Sequence, residues 1–191
     1  EALGVDAGDT ETLAAPLRAR LKGLGVRAGR HALFVPALLK PRPMALRAAL
    51  LVLHDGGALP TLPTPGVVSW PQPEDWPDGF AIALGWLPAG PVLLRLDVAE
   101  QVTAELDWAS RRRAVPLPTG LASRLSVKLD LLPAVLRRLG FRIFPSAPLP
   151  EPLFGPPAPA MLAPLRRHAE APTPRPARAG GPFAALAALQ H

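Results

Sequence analysis

The chain has 191 residues, no cysteine, 27 prolines and a formal net charge of +6. Its length suits one ordinary domain or two very small ones. Without cysteine, disulfides and thiolate chemistry are excluded, and a zinc site would have to use histidine and carboxylates alone.

No signal-peptide pattern opens the sequence and no apolar run reaches the ~18 residues of a membrane span, so a cytoplasmic chain with no membrane partner is expected. The first residue is Glu1 and the last is His191, which reads as a fragment or as a chain trimmed at both ends. Charge is segregated along the chain. Thr12 to His54 holds eight Lys or Arg and no acid, Asp55 to Asp107 holds eight acids against Arg95, and Ala109 to Ile143 holds eight bases against Asp130. A directional field of this kind suits a polyanionic ligand. The bland alternative is a GC-rich genome, which enriches Arg, Ala, Pro and Gly everywhere.

Residues 9–23 predict a helix, capped by Asp9 or Thr10, with acids near its start and bases near its end as the helix dipole prefers. Val26 to Val35 reads as one extended segment with Leu33, Phe34 and Val35 buried. After Pro36, a helix is expected over 43–54, with Pro43 in its first turn. It is apolar nearly all round, so burial on most sides is expected. Residues 58–79, with six prolines, read as a surface connector that Trp70 and Trp76 could pin to the body.

Two apolar runs around Pro-Ala-Gly-Pro predict a hairpin, 80–87 with 91–96. Asp97 is placed to cap a helix over 98–112, with Glu100 in capping-box position and Val98, Val102, Leu106 and Ala109 on one stripe. Thr119 caps a short helix to Leu125, Ser126 to Leu129 turns, and Asp130 caps a second helix to Leu139. Phe141 to Phe144 forms a strand. Beyond Pro145 the composition predicts a mostly disordered, polyproline-like tail with a short helix around 160–169. The expected fold class is therefore α+β. It comprises a basic helix–strand–helix module (1–57), the connector (58–79), a hairpin plus helix–turn–helix module of winged-helix kind (80–144) and the tail (145–191).

No phosphate-binding loop, acidic ATPase box, nucleotide fingerprint or nucleophile elbow is present. His31, His54, His168 and His191 show no metal-ligand spacing. This chain alone is expected to be neither an enzyme nor a cofactor binder. The candidate residues are cations for a nucleic-acid backbone. Lys40, Arg42 and Arg47 line a helix start, where the dipole favours anions. Arg124, Lys128, Arg137 and Arg138 lie on the helix–turn–helix, and Arg111, Arg112 and Arg113 form the densest run. Arg27 and Arg30 are weaker candidates at strand edges. The second helix opens on Leu131, Leu132 and Pro133, which cannot read base edges. A separate winged-helix transcription factor is therefore disfavoured, and the expected ligand is single-stranded RNA or DNA with low sequence specificity. Phe183, Leu186 and Leu189 form an apolar stripe suited to docking a protein partner. The competing reading is a protein-interaction scaffold that recruits its partner through this tail. The solvated face of an amphipathic helix pair would account for the same cations without any ligand.

Four phrases carry a family resemblance: GVRAGRHALFVPALLKPRPMALRAAL (25–50), GWLPAGPVLLRLDVAEQ (85–101), LASRLSVKLDLLPAVLRRLGFR (121–142) and PFAALAAL (182–189). Together they resemble the region after the motor lobes of alphaproteobacterial superfamily II helicases, relatives of the mitochondrial degradosome RNA helicase. The resemblance implies a C-terminal accessory region that guides the exiting strand or braces the motor lobes. ATP and Mg are implied for such a parent helicase only, since neither ATPase lobe lies in this chain.

Overall fold

The structure, a computed structural model, describes residues 14–148 and 154–165. Among them are six α-helices and three small antiparallel sheets, so the chain is mixed α+β. Helix α1 (Ala15–Gly23) packs on a two-stranded hairpin, β1 (Arg27–Ala28) with β2 (Leu33–Phe34). The first third of the expected 9–23 helix, with its Asp9 and Thr10 caps, lies outside the described residues. The single extended segment expected over 26–35 is instead this hairpin. Its turn closes through a Gly29 N–H to Ala32 carbonyl bond of 2.9 Å.

A 3-10 turn (Pro36–Leu39) leads into α2 (Pro41–Asp55). Burial on most sides, expected for this helix, does not occur. Met44 and Ala48 are buried, whereas Leu46, Leu50 and Leu53 on the opposite face are exposed. One layer of structure covers α2, and no described element covers its other side.

The connector follows the surface and contributes β3 (Ser69–Pro71). Trp70 and Trp76 pack against the core beside α2, and the Trp76 indole donates to the Thr61 carbonyl at 3.1 Å. The first half of the expected 80–87 strand is a helical turn, α3 (Phe80–Ala83). Gly85 then reverses the chain at φ 81°. Its missing side chain leaves room for Leu39, which a Cβ would strike. Strands β4 (Trp86–Pro88) and β5 (Val92–Arg95) follow, and the sheet order is β3-β5-β4.

Strand β5 is central in two senses. Its Val92 and Leu94 enter a core shared with the C-terminal helices, and its Leu93 enters the core of Met44, Ala48, Phe80, Leu84 and Trp86. Alternation with period two thus places one strand between two cores, at about 1.5–3 kcal/mol for each large apolar side chain buried. The long helix α4 (Leu96–Ser110) follows directly, then β6 (Val115–Pro116), α5 (Leu121–Leu125), α6 (Leu132–Arg138) and β7 (Phe141–Phe144). None of the three expected helix caps forms. Arg95, Gly120 and Leu131 occupy the cap positions, without side-chain caps.

The segment expected to hold a short helix around 160–169 instead forms β8 (Met161–Pro164), the middle strand of a sheet ordered β6-β8-β7. Leu162 is fully buried and Ala163 nearly so. Proline at 164 ends the run, and an apolar Met-Leu-Ala alternating against β7 is better satisfied in a ladder than in an isolated helical turn.

Glu100 does not complete a capping box. It is 7% exposed, and its carboxylate accepts the backbone N–H groups of Arg30 and His31 at 2.7 Å and of Ala32 at 3.0 Å. The hairpin turn wraps this carboxylate so closely that a Cβ at Gly29 would collide with it. The His31 ring meets the buried Thr103 hydroxyl at 3.2 Å. Glu100→Ala removes the acceptor from two part-buried donors and one buried donor and is expected to lower unfolding free energy by roughly 2–4 kcal/mol. Gly29→Ala should be destabilising through overlap with the same group. Urea denaturation of both variants tests this; a loss below about 0.5 kcal/mol for Glu100→Ala contradicts the assignment.

Candidate nucleic-acid interface

Helix α4 presents four carboxylates, and each has a partner. Asp97 takes Arg95 at 2.7 Å and the Val98 N–H at 2.9 Å. Glu100 takes the hairpin backbone. Glu105 is forked by Arg124 from α5, one arm at 2.7 Å. Asp107 accepts from the Arg30 guanidinium at 2.6 Å on both oxygens. Arg30 also lies over the Phe141 ring, 5.6 Å from its centroid. A Cβ at Gly140 would stand 2.6 Å from the same guanidinium, so the glycine admits it. Arg30 and Arg124, one from each basic block of the sequence, are thus internal partners of the acidic block between them.

The ion pair between α4 and α5 shifts both members. Hydrogen bonding from Arg124 holds the Glu105 carboxyl below the usual carboxylate range, and the same bond raises Arg124. Both side chains are largely solvated, so the contribution to stability is small.

The other candidate cations differ in setting. Arg111, Arg112 and Arg113 are exposed just after α4, Lys128 is exposed in the turn after α5, and Arg137 and Arg138 are exposed in the last turn of α6. These six take part in no ion pair among the described residues. Lys40 and Arg42 are exposed at the start of α2, while Arg47 is half-buried beside a small apolar cavity of about 20 Å³ that Leu33, Leu38 and Leu39 also line. That helix start is a poor phosphate cradle. Pro41 and Pro43 have no N–H, and the Met44 N–H already donates to the Lys40 carbonyl at 3.0 Å. Arg27 is exposed on the rim of an open groove of about 470 Å³, whose walls include Asp97, Glu100 and Asp107. An anion there would meet those carboxylates. Phe183, Leu186 and Leu189 lie outside the described residues.

Exposed aromatic rings, absent from the sequence-based candidates, accompany these cations. Trp108 is 71% exposed and lies 5.8 Å from the Arg111 guanidinium. Phe144, at the end of β7, is exposed and carries the exposed Arg142 at 4.6 Å. Phe154, in the connection between β7 and β8, is almost wholly exposed. The signal was present as Trp and Arg three apart in DWASRRR and as alternation in FRIF, but apolar rings at such spacings are usually read as core. Among the described residues, no group of three or more His, Asp or Glu could hold a metal ion, and no helix is long and apolar enough to cross a membrane.

The α6 face is apolar at its start. Leu132, Val135 and Leu136 are buried, leaving Pro133, Ala134, Arg137 and Arg138 outward. The β4–β5 turn approaches that start, so that a Cβ at Gly90 would lie 3.8 Å from the Ala134 carbonyl oxygen. No family model matches the chain, and neither the curated proteins nor the solved structures yield a significant match.

If the exposed cations bind single-stranded RNA, Glu105→Gln adds Arg124 to them and should tighten that binding about two- to fivefold at low salt, read by fluorescence anisotropy; weaker binding contradicts this placement of Arg124. The acid limb supplies a second check. The folded-state pKa of Glu105 is lowered, so the pair's contribution is present above the ordinary carboxylate range and is lost as pH falls through the folded value. The Tm difference between wild type and Glu105→Gln should therefore close in acid.

Proposed function

We propose that this chain is a non-catalytic accessory module that holds single-stranded nucleic acid by its backbone and unpaired bases, in the setting of an ATP-dependent helicase. The observation that carries the reading is the pairing of exposed aromatics with exposed cations, Trp108 with Arg111 and Phe144 with Arg142. Rings open to solvent accept the faces of unstacked bases, and adjacent cations take the phosphates between them. A duplex, whose bases are already stacked, has less use for such rings.

The order of elements supports a winged-helix reading of the C-terminal half. It runs α4, β6, α5, turn, α6, then the β7–β8 hairpin, with β8 between its neighbours. In that reading Arg137 and Arg138 lie on the second helix of the helix–turn–helix, and Arg142, Phe144 and Phe154 lie on the wing. The outward residues at the start of α6 are Pro133 and Ala134, which offer no side-chain hydrogen bonds to base edges. Little sequence preference follows. The helicase setting rests on the resemblance of the four phrases quoted above, and the ATP- and Mg-dependent steps belong to motor lobes outside this chain.

Binding of a labelled single-stranded RNA should weaken linearly in log affinity against log salt. Neutralising three to five phosphates predicts a slope of roughly −2 to −3.5. Trp108→Ala should cost about 1–3 kcal/mol with the slope unchanged, and Arg137→Ala with Arg138→Ala should flatten the slope. Absence of binding at 50 mM salt, or equal affinity of all these variants, would falsify the proposal.

A further inference from the structure

The face of α2 that no described element covers is an apolar feature that the proposed function leaves unused. Leu46, Leu50 and Leu53 recur at i, i+4 and i+7, on the side of the helix opposite Met44 and Ala48, and are 62%, 56% and 82% exposed. Just past the helix, Leu59 is also exposed. A shallow groove of about 320 Å³ runs from Ala49, Val52 and Leu53 over Gly56 and Gly57 to Leu59. A neighbouring hollow of about 220 Å³ shares Val52, Gly56 and Gly57 and has Asp55 and Asp75 on its wall. Isolated exposed leucines need no explanation, but a contiguous helical stripe ending in a groove marks a contact surface.

We infer that this surface docks the C-terminal segment 182–189 of the same chain, PFAALAAL. Three features select it. The segment is uncharged, with Phe183, Leu186 and Leu189 three apart and only alanine between them. Large anchors separated by small residues fit a leucine stripe whose groove has Ala49, Gly56 and Gly57 in its lining. The intervening chain is complementary in charge to the groove's acidic wall: residues 166–182 hold Arg166, Arg167, Arg175 and Arg178 against the single acid Glu170. The acidic side holds Asp55 and Asp75, with Glu74 and Asp78 close in sequence.

Reach is sufficient. The last described residue, Leu165, is fixed by its N–H to the Gly140 carbonyl at 2.8 Å. Residues 166–182 can extend to on the order of 55 Å at 3.3–3.6 Å each, against a radius of gyration of about 15 Å for a compact body of this size. Tethering also raises the local concentration of the segment into the millimolar range, so a small apolar contact can hold in cis without being strong enough to hold in trans.

The absence of cysteine makes the test direct. Ala187→Cys in the full chain provides one site for a nitroxide label, and paramagnetic broadening of backbone amides reports what lies near it. Docking in cis predicts that amides across 46–59 lose at least half their intensity, independent of protein concentration. Leu50→Asp should restore that intensity, and because Leu50 is solvent-exposed the substitution should leave the fold intact, as the unchanged spectrum of the remaining amides will show. A mixture of isotope-labelled, spin-free chain with spin-labelled, isotope-free chain should show no broadening. Broadening in that mixture would assign the face to a second copy, and no broadening at 46–59 in either sample would leave the face to another protein; both results overturn the inference.

Discussion

The Glu100 carboxylate is the interaction on which the rest depends. It lies one turn into the long helix, buried, and gathers three successive backbone N–H groups of the Arg30–Ala32 turn. A buried carboxylate is costly unless its lone pairs are satisfied, and three charge-assisted donors meet that requirement. In return the N-terminal hairpin, which has only two residues per strand, gains an anchor that its own ladder could not supply. With the hairpin fixed, Arg30 reaches Asp107, His31 reaches Thr103, and the short path through the 3-10 turn sets α2 against the central sheet.

The same helix decides which cations are left for a ligand. The acidic stretch of the sequence is an internal counterpart to the basic blocks on both sides, and the fold pairs Arg30 and Arg124 with it. Charge segregation along the chain is therefore partly a folding device. In the C-terminal half, the cations that remain outside are those of the run after α4, the turn before α6, the end of α6 and Arg142. Two of these cations carry exposed rings, a combination suited to a flexible strand with unstacked bases.

Much of the order of elements was legible in the sequence because its signals are local. Proline and glycine punctuate both ends of α2 and the β4–β5 turn, and Leu132, Val135, Leu136 and Leu139 sit at helical spacing and are all buried. The misread parts depend on distant partners. Glu100 has the spacing of a capping box, yet its partners are about 70 residues away, beyond any local rule. Met161 to Pro164 looks like tail until β7 supplies an edge for it. Leu46, Leu50 and Leu53 look like core because hydrophobicity alone does not say whether a covering layer exists. The site divided in the same way. Cations are legible from composition, but nothing local to Arg124 shows that Glu105 occupies it, and nothing local to Trp108 or Phe144 separates an exposed ring from a core ring.

If the acids of α4 select which cations meet nucleic acid, amide chemical-shift changes on adding single-stranded RNA to the full chain at low salt will show that selection residue by residue. The account predicts changes concentrated at Trp108–Arg113, Lys128, Arg137–Arg138 and Arg142–Phe144, with Arg30 to Ala32 unmoved. Changes centred on Arg27 to Ala32 or the start of α2, with the C-terminal cations silent, would contradict it.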